Sequence, residues 1–170
     1  TNDWVMMDNW RLYYHGTNSQ FAPGDTPSDK DEFDTANTFS VYDTEVMKGS
    51  TFELPVYMTN VDDISAFQCD IYLSSGLQMN YNDEGDYAFT LNSNRATSSH
   101  TIASELQADG AIRVIVYSNS SKLFRGNDGE LFTLNLSVSS LLNQSVSIRN
   151  IHLSTADEVE YLSADITSNI

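Results

Sequence analysis

A single cysteine, Cys69, is too few for any disulfide within the 170-residue chain. It lies among the apolar members of an alternating stretch, where a thiol behaves as a small hydrophobe. Basic side chains are also scarce, eight against 24 acidic ones. The resulting net charge of -16 repels phosphate backbones and anionic membrane surfaces, so nucleic acid is set aside as a partner. Such acidity suits a secreted or surface-displayed protein, and an extracellular or cell-surface location is expected. No run of about eighteen apolar residues occurs, so no transmembrane segment is expected. The three histidines, His15, His100 and His152, stand apart without zinc-ligand spacing. Both the Gly-x-Ser-x-Gly elbow and a glycine-rich phosphate loop are missing. No cofactor and no metal follow from these absences. Asp29, Asp31 and Asp34 suggest a calcium loop, but Phe33 takes the fifth position and the sixth lacks glycine.

Acidic neighbours such as Asp62-Asp63, Asp83-Glu84-Asp86 and Asp128-Glu130 fall where turns are expected, and acids there cap backbone groups and stay solvated. A glycosidase needs two opposed carboxylates flanking a sugar, which this pattern does not supply. No nucleophile, base and electrophile can be assembled, so a non-catalytic chain is expected. Asn119-Ser120-Ser121 and Asn143-Gln144-Ser145 match the glycosylation acceptor pattern, which carries meaning only in a eukaryotic secretory route.

What the chain does hold is short apolar runs with period two, separated by turn formers. The clearest is Ile64 to Met79, where Phe67, Cys69, Ile71 and Leu73 alternate with Gln68, Asp70 and Tyr72 before Ser74-Ser75-Gly76 breaks the run. Residues 1–20 hold an aromatic alternation around Trp10, Leu12 and Tyr14, read as the end of a preceding domain. Residues 21–37, with two prolines and several acids, read as an acidic linker. Residues 38–170 then form an all-β segment with little helical spacing. Candidate strands are Phe39–Val46, Thr51–Asn60, Ala66–Leu73, Tyr87–Asn92, Ser99–Gln107, Ala111–Ser118, Glu130–Val138, Ser145–Asn150 and Val159–Ile166. About nine strands in this length predict a two-sheet antiparallel sandwich. Alternation assigns Phe52, Leu54, Val56, Phe67, Cys69, Ile71, Ile112, Val114, Val116, Phe132, Leu134 and Leu136 to its core.

One hairpin can be put in register from sequence. A three-residue loop, Ala108-Asp109-Gly110 with a left-handed glycine, sets Leu106, Ser104 and Ile102 opposite Ile112, Val114 and Val116 on the buried side. Arg113 then falls opposite Glu105 outside, where opposite charges support the register.

Four stretches together resemble a cohesin-type module: GSTFELPVYMTNVDDISAFQCDIYL from Gly49, the turn and restart SSGLQM, AIRVIVYS from Ala111, and GNDGELFTLNLSV from Gly126. The resemblance spans residues 38 to about 168. It implies a nine-stranded jelly-roll sandwich related in fold to carbohydrate-binding modules, and a bacterial extracellular protein whose sheet face receives a dockerin module. Gln68 and Asp70 match polar positions in that contact. Tyr72-Leu73-Ser74 stands where dockerin-binding cohesins usually have Tyr-Asp at the end of the third strand. By alternation Gln68, Asp70, Tyr72, Ala103, Glu105, Arg113, Ile115 and Tyr117 form the candidate partner-binding face. Its modest apolar centre and charged edge favour a protein partner in a scaffold or adhesion role. The alternative is polysaccharide binding, with Tyr72 and Tyr117 stacking on a sugar, although both tryptophans lie outside the sandwich.

Overall fold

The computed structural model describes residues 33–170. The tail expected over 1–20 and the linker up to residue 32 lie outside the described residues. Eleven strands are present: β1 Thr38–Ser40, β2 Thr51–Thr59, β3 Ile64–Leu73, β4 Leu77–Met79, β5 Phe89–Leu91, β6 His100–Leu106, β7 Ile112–Ser118, β8 Glu130–Val138, β9 Ser145–Thr155, β10 Glu160–Ser163 and β11 Ile166–Asn169. No helix occurs among the described residues. One sheet has the order β1-β2-β8-β4, with β5 also on β8; the other has the order β10-β9-β3-β7-β6, with β11 also on β9. Every pairing is antiparallel.

Alternation explains the layering. Phe67, Cys69 and Ile71 of β3 point inward beside Val116, Val114 and Ile112 of β7, and meet Leu54, Val56, Phe132, Leu134 and Leu136 of the facing sheet. The two layers join through aromatic rings. Phe67 lies 5.3 Å from Phe132 between ring centres and 5.1 Å from Phe39, the latter edge-on. Eleven of the twelve core positions expected from alternation are buried, and Phe52 is half-buried near the end of β2.

The expected nine strands become eleven for local reasons. Leu77–Met79 pairs with β8 as a strand of its own, and the last expected strand splits into β10 and β11 around Ala164-Asp165. The first ends at Ser40, not Val46, because the chain then crosses to the other sheet. There the Ser168 hydroxyl donates to the Tyr42 carbonyl at 2.8 Å and the Thr44 N–H donates to the Asn169 carbonyl at 3.0 Å. Residues 34–37, placed in the linker by composition, are hydrogen-bonded into the sandwich. The Asp34 N–H donates to the Leu162 carbonyl at 2.7 Å, and fully buried Asn37 accepts from the Val61 and Asp62 N–H groups.

The β6–β7 hairpin has the register derived from sequence, from Leu106 opposite Ile112 to Ile102 opposite Val116. Gly110 takes φ +89° and the Gln107 N–H donates to the Ala111 carbonyl at 2.7 Å. Leu106 departs from its buried assignment. It is 59% exposed, because β6 is the margin of its sheet.

β9 carries a bulge against β3. Gln68 faces His152 and Asp70 faces Arg149, so Asn150 and Ile151 together oppose Cys69, with Asn150 at φ +49°. Before the bulge Val146 and Ile148 are buried; after it Ile151 and Leu153 are.

Candidate functional site

The outer face of the β10-β9-β3-β7-β6 sheet holds the expected site residues, and the pairings lay them out as a grid. One row reads His152, Gln68, Ile115 and Ala103 across β9, β3, β7 and β6. The next reads Arg149, Asp70, Arg113 and Glu105. Tyr117 lies opposite Thr101, beyond the first row, while Tyr72 lies opposite Ser147, beyond the second. All eight candidates thus share one sheet face, but they are not equally available.

Asp70 is corrected from exposed to buried, at 2% exposure. Arg113 grips it with two donors, Nε at 2.7 Å and Nη2 at 2.8 Å, and Asn150 Nδ2 donates to the same carboxylate at 2.9 Å. The expected Arg113–Glu105 attraction is corrected as well. Those residues are opposite in register, yet the guanidinium turns across to β3, where a forked donor matches a carboxylate. Burial alone would raise the Asp70 pKa, but the bonds from Arg113 and Asn150 outweigh it and hold the carboxyl below its ordinary value. The Asp70 bond in turn raises the Arg113 pKa.

Tyr72 is occupied on two sides. Its hydroxyl donates to Asp109 Oδ2 at 2.8 Å in the hairpin loop, and the Arg149 guanidinium sits 5.0 Å from its ring centre. The Asp109 bond raises the Tyr72 pKa, and the same bond lowers that of Asp109. What stays open to a partner is the half-buried Gln68 and Ile115 with exposed Ala103, Glu105 and Tyr117. Next to Gln68, His152 Nδ1 lies 2.6 Å from Glu160 Oε1.

Sequence reasoning missed Asn150, Arg149, Asp109, His152 and Glu160 as members of this face. Arg149-Asn150 in the middle of an alternating strand was the available signal, since asparagine tolerates the left-handed backbone that a bulge needs. The strand was expected to stop at Asn150, which left His152 outside it. Turn acids behave as local caps and tethers: Asp62 accepts from Asn37, and Asp128 accepts from Thr59 at 2.7 Å. Among the described residues no cluster of three or more His, Cys, Asp or Glu is placed to hold a metal, and no helix is long and apolar enough to cross a membrane. Two shallow surface grooves among the described residues lie elsewhere, around Glu45–Val46 and Leu141 and around Met47 and Phe52.

Two paired antiparallel sheets with a polar and apolar grid on one outer face define a β-sandwich. The Cohesin domain family model matches residues 37–169, and the chain belongs to that family of non-catalytic protein-interaction modules. Solved structures share the fold at low identity. The sixth cohesin of scaffoldin B from Acetivibrio cellulolyticus, solved in complex with a Cel5 dockerin, has a TM-score of 0.64 at 17% identity, covering 80% of this chain and 99% of its own. The cohesin module of a family 33 glycoside hydrolase from Clostridium perfringens gives 0.62 at 16% identity, covering 79% and 94%. A non-cellulosomal cohesin from the archaeon Archaeoglobus fulgidus gives 0.57 at 17% identity, covering 78% and 91%. No curated protein matches the sequence.

Proposed function

We propose that the outer face of the six-stranded sheet docks a dockerin-like protein module, and that the chain serves as a scaffold or adhesion module of a secreted or cell-surface bacterial protein. The observation that supports this reading is the division of the face. Within its charged row Asp70 is closed between Arg113 and Asn150, so that ion pair needs no partner to satisfy it, while Glu105 stays open. The neighbouring rows, with Ile115, Ala103, Tyr117 and Gln68, offer an apolar centre edged by Glu105, His152 and Glu160. A central apolar patch within a polar rim is the surface a protein partner needs. The sugar reading is weaker, because the Tyr72 ring is covered by Arg149 and its hydroxyl is tethered to Asp109.

The test is a binding screen of the full chain against a panel of dockerin modules and a panel of polysaccharides. A dockerin that binds wild type, fails to bind Ile115→Arg and still binds Glu53→Arg on the opposite sheet supports the proposal. Saturable polysaccharide binding indifferent to Ile115→Arg, with no dockerin bound, refutes it.

A further inference from the structure

The margin of the six-stranded sheet at β6 differs from the other sheet margins. β1, β4 and β5 have three residues each, and β10, with four, has its carbonyl at Leu162 taken by the Asp34 N–H. β6 has seven residues and pairs only with β7. Counting back from the Gln107–Ala111 bond, Glu105, Ala103 and Thr101 exchange hydrogen bonds with β7. The N–H and C=O groups of Ile102, Ser104 and Leu106 therefore point away from it. Among the described residues no strand lies on that side. Soluble proteins protect such a margin with proline, lysine or a bulge. His100–Leu106 has no proline and no lysine, carries Glu105 as its one acidic residue, and its register runs without a shift.

We propose that β6 pairs antiparallel with β6 of a second copy of this chain about a twofold axis at Ser104. Self-complementarity selects the second copy as the occupant. With Ser104 opposite Ser104, Ile102 of each copy faces Leu106 of the other, and each of these three pairs exchanges two hydrogen bonds. All the outward-pointing groups from Ile102 to Leu106 are then used. Leu106, 59% exposed in one copy, gains an apolar neighbour on the core side of the joined sheet. Glu105 falls opposite Ala103, so like charges do not meet directly. An axis moved one residue towards the loop would set Glu105 against Glu105, which is unfavourable. The axis moved the other way would set Ile102 against Ser104 and Leu106 against His100. The two sheets become one continuous sheet whose outer faces lie side by side, so the dimer carries two copies of the candidate docking face.

Sedimentation of the full chain over a range of concentrations tests this. The expected mass rises with concentration from 19.0 kDa towards twice that value. Salt should strengthen the association, because each copy carries -16 and screening relieves their repulsion. Ser104→Pro and Leu106→Lys should each hold the mass at 19.0 kDa with an unchanged circular dichroism spectrum. Neither substitution touches a hydrogen bond within the copy. Opposed residues of a hydrogen-bonded antiparallel pair sit about 5.5 Å apart between Cα atoms, within disulfide reach. Ser104→Cys should thus cross-link under mild oxidation, and Glu105→Cys should do so far more slowly. A mass fixed at 19.0 kDa at every concentration, as a margin covered from within the same chain would give, overturns the proposal. So does a dimer that survives both Ser104→Pro and Leu106→Lys. Equal cross-linking at both cysteine positions overturns the register.

Discussion

Truncation of Asp70 to alanine separates an ion pair that builds the sandwich from one that waits for a partner. The Asp70 side chain is 3% exposed and that of Arg113 20%. The substitution strands the Arg113 Nε and Nη2 donors and Asn150 Nδ2. Removing one partner of a fully buried pair costs about 3–5 kcal/mol. Arg113 is partly solvated and can swing to Glu105, its cross-strand neighbour, so we expect about 2–3 kcal/mol. That lowers the thermal midpoint by about 5–10 °C for a domain of this size. Circular dichroism is the right probe, because it follows the sheets directly and no tryptophan occurs among residues 33–170. The loss should also depend on pH. A carboxyl held below its ordinary value of 3.8 stabilises fully above that pH, and the stabilisation fades as pH falls through the lower folded value. Wild type and Asp70→Ala should therefore converge in stability at strongly acid pH and diverge at neutral pH. An Asp70→Ala midpoint equal to wild type at pH 7, with partner binding lost, would refute the reasoning and return Asp70 to the contact surface.

Phe67→Ala and Phe132→Ala should each destabilise by about 3–5 kcal/mol in urea melts, because both rings lie in the stack joining the sheets. Cys69 should resist a thiol reagent until the chain unfolds, since full burial pushes its thiol pKa far up and shuts out the reagent. His100, stacked 4.2 Å from Phe124 and accepting the Thr97 N–H at Nδ1, has its pKa lowered by burial. The unfolded chain then takes up the proton first, so stability should fall as pH drops below 6.5, and His100→Asn should flatten that fall.

The period-two pattern was enough to find the layers because a half-buried strand must alternate, and Phe67, Cys69 and Ile71 obey this without exception. The hairpin register was legible for the same reason, with glycine at its loop exit removing the only ambiguity. Two kinds of information were not local. Period two places a residue on a face but does not say what covers it there, so Asp70 read as exposed although Arg113 and Asn150 close over it. Nor does it say which cross-strand neighbour a long side chain chooses, and Arg113 chose β3 over β6. The candidate face was found as a face, while its division into a closed ion pair and an open apolar row needed the pairing of β9, whose second half was not expected as strand.

The bulge at Asn150 reverses parity along β9. Even-numbered residues are buried before it and odd-numbered ones after it, so one strand serves two reading frames of inside and outside. The reversal makes the effect of a one-residue deletion depend on where it falls. Deleting Asn150 would remove the bulge and leave plain alternation, with Ile151 opposite Cys69 and Leu153 still inward, at the cost of the Asn150–Asp70 hydrogen bond. Deleting His152 would instead turn Leu153 to water and force Ser154 into the core. A one-residue deletion should therefore be accepted at Asn150, which is exposed at the surface, and rejected at His152.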